Sequence, residues 1–153
     1  MYDILIRNGH VIDGTGQPAF WADVGVAGDI VRILPSNAEG VVGRQIIDAS
    51  GCSVSPGFID MHSHSDLTLL SDPRHLVKLS QGVTTEALGQ DGLSYAPISI
   101  QNLGPLLYYL AAVNGHPPPD VKWESVKEFL DLFDQKVSCN VVYFVPHAAI
   151  RVE

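Results

Sequence analysis

Two histidines separated by a single residue, His62 and His64, are the side chains of this sequence best suited to chemistry. They follow residues 55–61, whose Ser-Pro-Gly start and apolar continuation are typical of a buried β-strand. Side chains two residues apart on a strand point to the same face, so both imidazoles would project together. Imidazole nitrogens are common ligands of zinc and other divalent ions. The spacing therefore predicts part of a divalent-metal site at the end of a strand.

Asp91 is a third candidate, because it lies about one βα step beyond His62 in the chain. It falls in the loop 89–92, directly after the β-branched run 83–88. In α/β folds, functional sites lie at the carboxyl ends of the strands. The alternative for Asp91 is an ordinary N-cap or turn residue.

Asp66, two residues after the histidine pair, has two candidate roles. Its carboxylate could orient a metal-binding imidazole through a hydrogen bond, or it could cap the segment that follows. The histidines His10, His75 and His116 have no ligand spacing to a neighbouring residue and are expected on the surface.

The elements that must position these residues fall into two parts. Residues 1–55 predict a β-rich segment of short strands and turns, with Asp13-Gly14-Thr15-Gly16 as a strong hairpin signal. Residues 56–153 alternate strands with helices, a pattern that favours βαβ units and a parallel sheet or barrel. The strands are expected at residues 58–61, 83–88 and 140–145. The helices are expected from Asp72-Pro73 to Gly82, from Pro105 to near Gly115, and after the capping box Ser125-x-x-Glu128.

Composition and charge exclude several classes of protein. The 153 residues are 46% hydrophobic and 17% charged, which is enough for a folded core. The net charge of −8, from 9 basic and 17 acidic residues, argues against nucleic acid and anionic membranes as partners, because phosphate binding needs clustered Lys and Arg. The N-terminus does not read as a signal peptide, and no apolar run is long enough to span a bilayer. We therefore expect a soluble cytoplasmic protein.

The combined motifs resemble those of the amidohydrolase superfamily, metal-dependent hydrolases with a (β/α)₈ barrel and a small β-sandwich domain. Within that superfamily, the chain is similar to the N-acyl-D-amino-acid deacylase (D-aminoacylase) family. The resemblance runs through residues 4–9, 11–16, 22–24, 47–49, 56–66, 81–86, 89–97 and 142–151.

The resemblance implies a divalent metal cofactor, Zn²⁺, as one or two ions. His62 and His64 occupy the family's metal-ligand pair on the first barrel strand. Asp91 stands where D-aminoacylases commonly carry a cysteine that bridges the metals. A carboxylate can also bridge two ions, but it is a harder ligand, which leaves the zinc preference and the metal count open. His147, in the pattern strand-Pro-His-x-x-Ile-Arg, resembles a position that contacts substrate or a developing oxyanion, and a structural histidine is the alternative.

The implied reaction is hydrolysis of a linear amide, an N-acyl-D-amino acid, to a carboxylate and a D-amino acid. A (β/α)₈ barrel needs roughly 250 residues. Residues 56–153 are therefore expected to form an incomplete barrel of three βα units, and residues 1–55 part of the β-sandwich domain. The family's acid–base aspartate and two further histidine ligands would come from later strands, which predicts that this chain is truncated. The alternatives are a catalytically inert fragment and another amidohydrolase reaction, such as the cyclic-amide hydrolysis of hydantoinases or dihydroorotases.

Overall fold

The structure, a computed structural model, describes residues 1–153 and divides into two units, Met1–Pro56 and Gly57–Glu153. The boundary expected from the sequence lay between residues 55 and 56. The first unit contains β-strands and no helix, and the second alternates strands with helices. Each unit has its own group of buried apolar residues.

Five strands form the mixed sheet of the first unit. They are β1 (Tyr2–Val11), β2 (Phe20–Ala27), β3 (Ile30–Pro35), β4 (Gly43–Asp48) and β5 (Ser53–Val54). The order is β3-β2-β1-β4, and β5 also pairs with β1. Strand β2 is antiparallel to both β1 and β3, whereas β4 and β5 run parallel to β1. The β-rich character predicted for this segment is confirmed, and Oδ1 of Asp13 accepts two hydrogen bonds from Thr15 in the predicted turn.

Three parallel strands form the sheet of the second unit. They are β6 (Phe58–Asp60), β7 (Val83–Leu88) and β8 (Asn140–Tyr143), in the order β6-β7-β8. Both neighbouring pairs are parallel, as predicted from the alternation of strands and helices. Because the strands point the same way, the segments that follow them gather at one edge of the sheet.

Five α-helices and one short 3₁₀ helix (Gln90–Gly92) lie between and after these strands, and the α-helices are numbered in chain order. They are α1 (Thr68–Ser71), α2 (Leu76–Leu79), α3 (Ile100–Asn114), α4 (Val126–Asp131) and α5 (His147–Val152). The capping box predicted for α4 is confirmed, since Ser125 Oγ accepts from the N–H of Glu128 and Glu128 Oε2 accepts from the N–H of Ser125. No helix is long and apolar enough to cross a membrane.

The predicted helix start at Asp72-Pro73 is wrong. The carbonyl of Asp72 accepts a hydrogen bond from the N–H of His75 (3.1 Å), so these residues form a turn. Helix α2 begins only at Leu76, after His75 adopts a left-handed backbone with φ +43°.

Helix α3 begins at Ile100 rather than at Pro105, which lies inside the helix. The N-terminal N–H groups of this helix are bonded to acidic side chains from distant parts of the chain. The N–H of Ser99 donates to Glu153 Oε1 (2.6 Å), and the N–H of Ile100 donates to Glu124 Oε1 (3.2 Å). These carboxylates satisfy N–H groups that a helix start leaves without partners.

The core of the second unit attaches the segment after β7 to the neighbouring elements. The hydroxyl of Tyr143 on β8 donates to the carbonyl and accepts from the N–H of Ala96, both at 3.0 Å. Burial raises the pKa of Tyr143 to about 12. Trp123 Nε1 donates to the carbonyl of Tyr95 (2.9 Å). The large side chains buried here include Leu67, Leu69, Leu88, Tyr95, Leu110, Trp123 and Phe129.

Candidate metal centre

His62, His64 and Asp91 come together at the carboxyl edge of the parallel sheet. Nε2 of His62 and Nε2 of His64 each lie 3.2 Å from Oδ2 of Asp91. The potential ligand atoms of the three residues all lie within 4.8 Å of one another. The side chains of His62 and Asp91 are more than half exposed, and that of His64 is 27% exposed. The cluster is therefore open to ions and small molecules from the solvent.

The turn after β6 is fixed by polar contacts on both sides of the first histidine. Oδ1 of Asp60 accepts a hydrogen bond from the N–H of His62 (3.1 Å), and the N–H of Ser63 donates to the carbonyl of Ala87 on β7 (3.4 Å). Lys78 of α2 donates to the other carboxylate oxygen of Asp60, and this hydrogen bond holds the pKa of Asp60 below its usual value. The direction in which the chain leaves β6 is thereby set.

The loop after β7 presents Asp91 to the histidines through an unusual backbone. Gly89, Asp91 and Gly92 all have left-handed conformations, with φ of +78°, +56° and +73°. Residues other than glycine rarely adopt this conformation, and aspartate is one of the few that do. Two features require glycine at position 89. One is its left-handed backbone, and the other is the carbonyl oxygen of Phe144 just beyond β8, with which a Cβ at this position would collide. The loop is thus packed tightly against the end of the third strand.

Asp66 is fully buried and holds the same loop. Its Oδ1 accepts hydrogen bonds from the N–H of Gly89 (3.2 Å) and from the hydroxyl of Ser94. Burial raises the pKa of Asp66, and the hydrogen bond from Ser94 opposes that shift. These hydrogen bonds go neither to an imidazole nor to the segment that directly follows Asp66, its two candidate roles. Instead they fix both ends of the segment that carries Asp91.

His147 lies at the same edge of the sheet but outside the ligand cluster. It is exposed and is the first residue of α5, which follows β8. Its Cβ is 3.2 Å from the position that a Cβ on Gly92 would occupy, so its backbone packs directly on the loop of Asp91. The structure therefore places His147 against the loop that carries Asp91 and outside the three-residue cluster.

The burial of two residues near the cluster, Glu86 and His75, was not predicted from the sequence. Glu86 on β7 has no exposed surface, and its Oε2 accepts a hydrogen bond from Ser63. His75, expected on the surface, is only 7% exposed, and its Nε2 lies 2.8 Å from Oε1 of Glu86. The sequence did contain a signal for this pair. Glu86 lies within a β-branched and apolar strand, and a carboxylate that is buried there requires a partner.

The donor atoms of the cluster suit a divalent transition metal. A tetrahedral zinc site with ligand bonds of about 2.0–2.2 Å keeps its donor atoms about 3.4 Å apart. The 3.2 Å separations between Oδ2 of Asp91 and the two Nε2 atoms match that spacing. Two imidazoles and one carboxylate also leave room for water or a further ligand in the coordination shell. Two of the three separations between donor atoms therefore suit one ion held in common, and all three lie within 4.8 Å.

A parallel sheet with potential metal ligands at its carboxyl edge defines an α/β protein with a candidate metal site. Comparison with known proteins identifies the family within this class. The profile of the Amidohydrolase family matches residues 45–152, well over half of the chain. The chain belongs to the amidohydrolase family.

Curated relatives match almost the whole chain. The N-acyl-D-aspartate deacylase of Alcaligenes xylosoxydans xylosoxydans is 36% identical over 151 residues, which cover 98% of this chain and 29% of the relative. The D-aminoacylase of the same organism is 33% identical, again over 98% of this chain and 30% of the relative. The chain thus spans about three-tenths of the length of the curated relatives it matches.

Solved structures give the same result. The N-acyl-D-glutamate deacylase of Bordetella bronchiseptica, in complex with zinc and a phosphonate mimic of the tetrahedral intermediate, matches with a TM-score of 0.83 and 35% identity. A crystal structure of D-aminoacylase matches with a TM-score of 0.79 and 33% identity, and each match covers 99% of this chain and 31% of the other. An L-hydantoinase from Arthrobacter aurescens, at 19% identity and a TM-score of 0.59, shares the fold alone. The resemblance to amidohydrolases and to D-aminoacylases is therefore confirmed.

Proposed function

We propose that this chain is the metal-binding part of a hydrolase that converts N-acyl-D-amino acids to a carboxylate and a free D-amino acid. The convergence of His62, His64 and Asp91 is the observation that carries the proposal. Similarity to an N-acyl-D-aspartate deacylase and a D-aminoacylase over 98% of the chain supports the choice of substrate. Because the chain spans about three-tenths of those relatives, the activity is assigned to the complete protein.

The proposed cofactor is a divalent metal, Zn²⁺, as one or two ions. One solved relative contains zinc, and another, a D-aminoacylase, has a binuclear metal centre. A metal bound here would polarise the substrate carbonyl and lower the pKa of a water molecule to about 7. The two imidazoles would donate through Nε2, and the carboxylate of Asp91 has two oxygens with which it can bridge two ions.

The residues around the cluster receive separate roles in this proposal. The proposal assigns His147, which is exposed at the same edge, to donate a hydrogen bond to a substrate oxygen that gains negative charge. Asp66 acts on Asp91 indirectly, because it holds Gly89 and Ser94 at the two ends of the loop. Neither residue is assigned as a metal ligand.

The three-stranded sheet is proposed to be part of a (β/α)₈ barrel, and residues 1–55 part of a small β-sandwich domain. Strands β6 and β8 are both edges of the sheet, and the apolar side chains of Phe58 and Ile59 on β6 are about 60% exposed. Open edges and exposed apolar strands favour pairing with further strands. The family resemblance assigns the acid–base aspartate and two more histidine ligands to those strands.

Calorimetric titration of the 153-residue chain with Zn²⁺ tests the metal site. We expect the changes His62→Ala, His64→Ala and Asp91→Ala each to weaken binding strongly, because each removes one of three converging donors. The matched control is His116→Ala, which removes an exposed histidine outside the cluster. Equal binding by the cluster variants and the control would show that the zinc lies elsewhere.

The activity is tested by incubating the complete protein that carries this chain with N-acetyl derivatives of D- and L-amino acids in the presence of zinc. D-selective release of amine is expected, and a cyclic amide such as a hydantoin serves as the competing substrate class. Hydrolysis of the cyclic amide alone, or of the L-derivatives equally well, would contradict the substrate assignment. The 153-residue chain by itself is expected to release no amine, and turnover by this chain would contradict the assignment of the acid–base group to other strands.

A further inference from the structure

We infer that Glu86 and His75 hold the two metal-binding histidines in position through contacts with Ser63 and Ser65. The inference rests on the proposed metal site and concerns side chains outside the ligand cluster. Ser63, Ser65, His75 and Glu86, named here the buried clamp, are 4%, 8%, 7% and 0% exposed. Their hydrogen bonds connect β7 and the turn before α2 to the stretch that carries the histidines.

The contacts within the buried clamp are continuous. Ser63 donates to Oε2 of Glu86, and the two serine hydroxyls lie 2.7 Å apart. Ser65 Oγ lies 3.4 Å from Nε2 of His75. The same nitrogen is 2.8 Å from Oε1 of Glu86, an ion-pair distance, although Oε1 accepts no hydrogen bond of good geometry.

The direction of these hydrogen bonds follows from the number of protons available. A serine hydroxyl has one proton, and that of Ser63 goes to Glu86. Ser65 must then donate in the contact between the two serines and accept from Nε2 of His75. The bonds run from His75 through both serines to Glu86, and they require a proton on Nε2 of His75.

The clamp acts on the histidines because serines and histidines alternate in the chain. Ser63 lies between His62 and His64, and its backbone N–H is also bonded to the carbonyl of Ala87. Moving this stretch would separate Ser63 from Glu86 and leave a buried carboxylate short of a partner, which is costly. The clamp therefore resists the displacement of both imidazoles relative to Asp91.

A catalytic triad is not formed by these residues. In a Ser-His-acid triad the serine and the acid contact different nitrogens of the imidazole. Here Ser65 and Glu86 both approach Nε2 of His75. The burial of all four side chains also keeps substrate away from them.

The test uses Co²⁺ in place of zinc and measures the dissociation constant and the visible absorption spectrum of the metal-loaded chain. We expect Ser63→Ala to weaken Co²⁺ binding about tenfold or more and to change the spectrum, as is typical when a group that orients ligands is lost. Glu86→Ala should have the same effect. Glu86→Gln should have a smaller effect, because it keeps an oxygen that can accept a hydrogen bond from Ser63. The control Ser50→Ala removes a serine hydroxyl that bonds to the carboxylate of Asp48 in the first unit and should change neither readout.

The outcomes separate the clamp from the metal site itself. If the wild-type chain gives a Co²⁺ spectrum and Ser63→Ala and Glu86→Ala reproduce it with unchanged affinity, the clamp is only structural and the inference is wrong. If the wild-type chain gives no Co²⁺ spectrum, the proposed metal site is wrong and the clamp has no ligands to position. If Glu86→Ala does not fold, as judged by circular dichroism, Ser63→Ala and Glu86→Gln decide the question.

Discussion

Replacing Gly89 by alanine tests whether the packing of its loop on the end of β8 sets the position of Asp91. The φ of +78° at Gly89 costs an L-residue about 1–2 kcal/mol. The new Cβ would also lie 3.0 Å from the carbonyl carbon of Phe144 and collide with its oxygen. Relieving such a collision between packed segments adds about 1–3 kcal/mol. We therefore expect Gly89→Ala to lower the free energy of unfolding by about 2–5 kcal/mol.

Urea unfolding followed by tryptophan fluorescence measures this loss. Trp123 is 2% exposed in the second unit and will report its unfolding, whereas Trp21 in the first unit is 62% exposed. Two controls in the second unit separate backbone strain from collision. Gly82→Ala introduces a Cβ at φ +81° with only the exposed ring of Phe58 nearby, at 3.3 Å, and Gly92→Ala introduces one at φ +73° with the Cβ of His147 at 3.2 Å. Both controls should cost only about 1–2 kcal/mol.

The same variant should weaken Zn²⁺ binding, because Asp91 lies two residues beyond the displaced glycine. A loss of about tenfold or more is expected, comparable to the loss of a contact that orients a ligand. A Gly89→Ala protein as stable as Gly92→Ala, with the zinc affinity of the wild type, would refute the reasoning. In that case the hydrogen bonds of Asp66 with the N–H of residue 89 and with Ser94 would be enough to hold the loop.

Two further predictions concern single groups of the second unit. Asp91→Cys should raise the affinity for Zn²⁺ relative to Mn²⁺ in competition titrations, because thiolate is the softer ligand, and an unchanged ratio would show that residue 91 does not bind the metal. Because burial raises the pKa of Tyr143 from 10.0 to about 12, its neutral hydroxyl should contribute stability that is complete below pH 10 and is lost as the pH rises through about 12. Urea unfolding across this pH range should show that loss in the wild type and a smaller loss in Tyr143→Phe.

The parts of the structure that follow from local sequence were predicted correctly. The alternation of strands and helices, the capping box at Ser125 and the parallel sheet depend on patterns within a few residues of one another. The pairing of His62 with His64 is local in the same sense. Their approach to Asp91 required only that consecutive parallel strands share an edge.

The errors arose where a partner comes from far along the chain. Helix α3 starts before Pro105 because Glu153, 54 residues from Ser99, bonds to the start of the helix. His75 was expected on the surface, because no neighbour in sequence offers it a partner, yet Glu86 and Ser65 bury it. Likewise, the need for glycine at position 89 depends on Phe144. Such contacts exist only once the sheet has formed.

The periodicity of two that identified the histidine pair also describes the two serines that alternate with them, Ser63 and Ser65. His62 and His64 contact Asp91, whereas Ser63 contacts Glu86 and Ser65. One short stretch thus presents imidazoles to the solvent-exposed cluster and hydroxyls to a buried carboxylate. A serine is small enough to be buried there and polar enough to satisfy Glu86, and an alanine of similar size would leave that carboxylate without its partner. The identity of the residue between the two histidines is therefore constrained by the buried glutamate of the neighbouring strand.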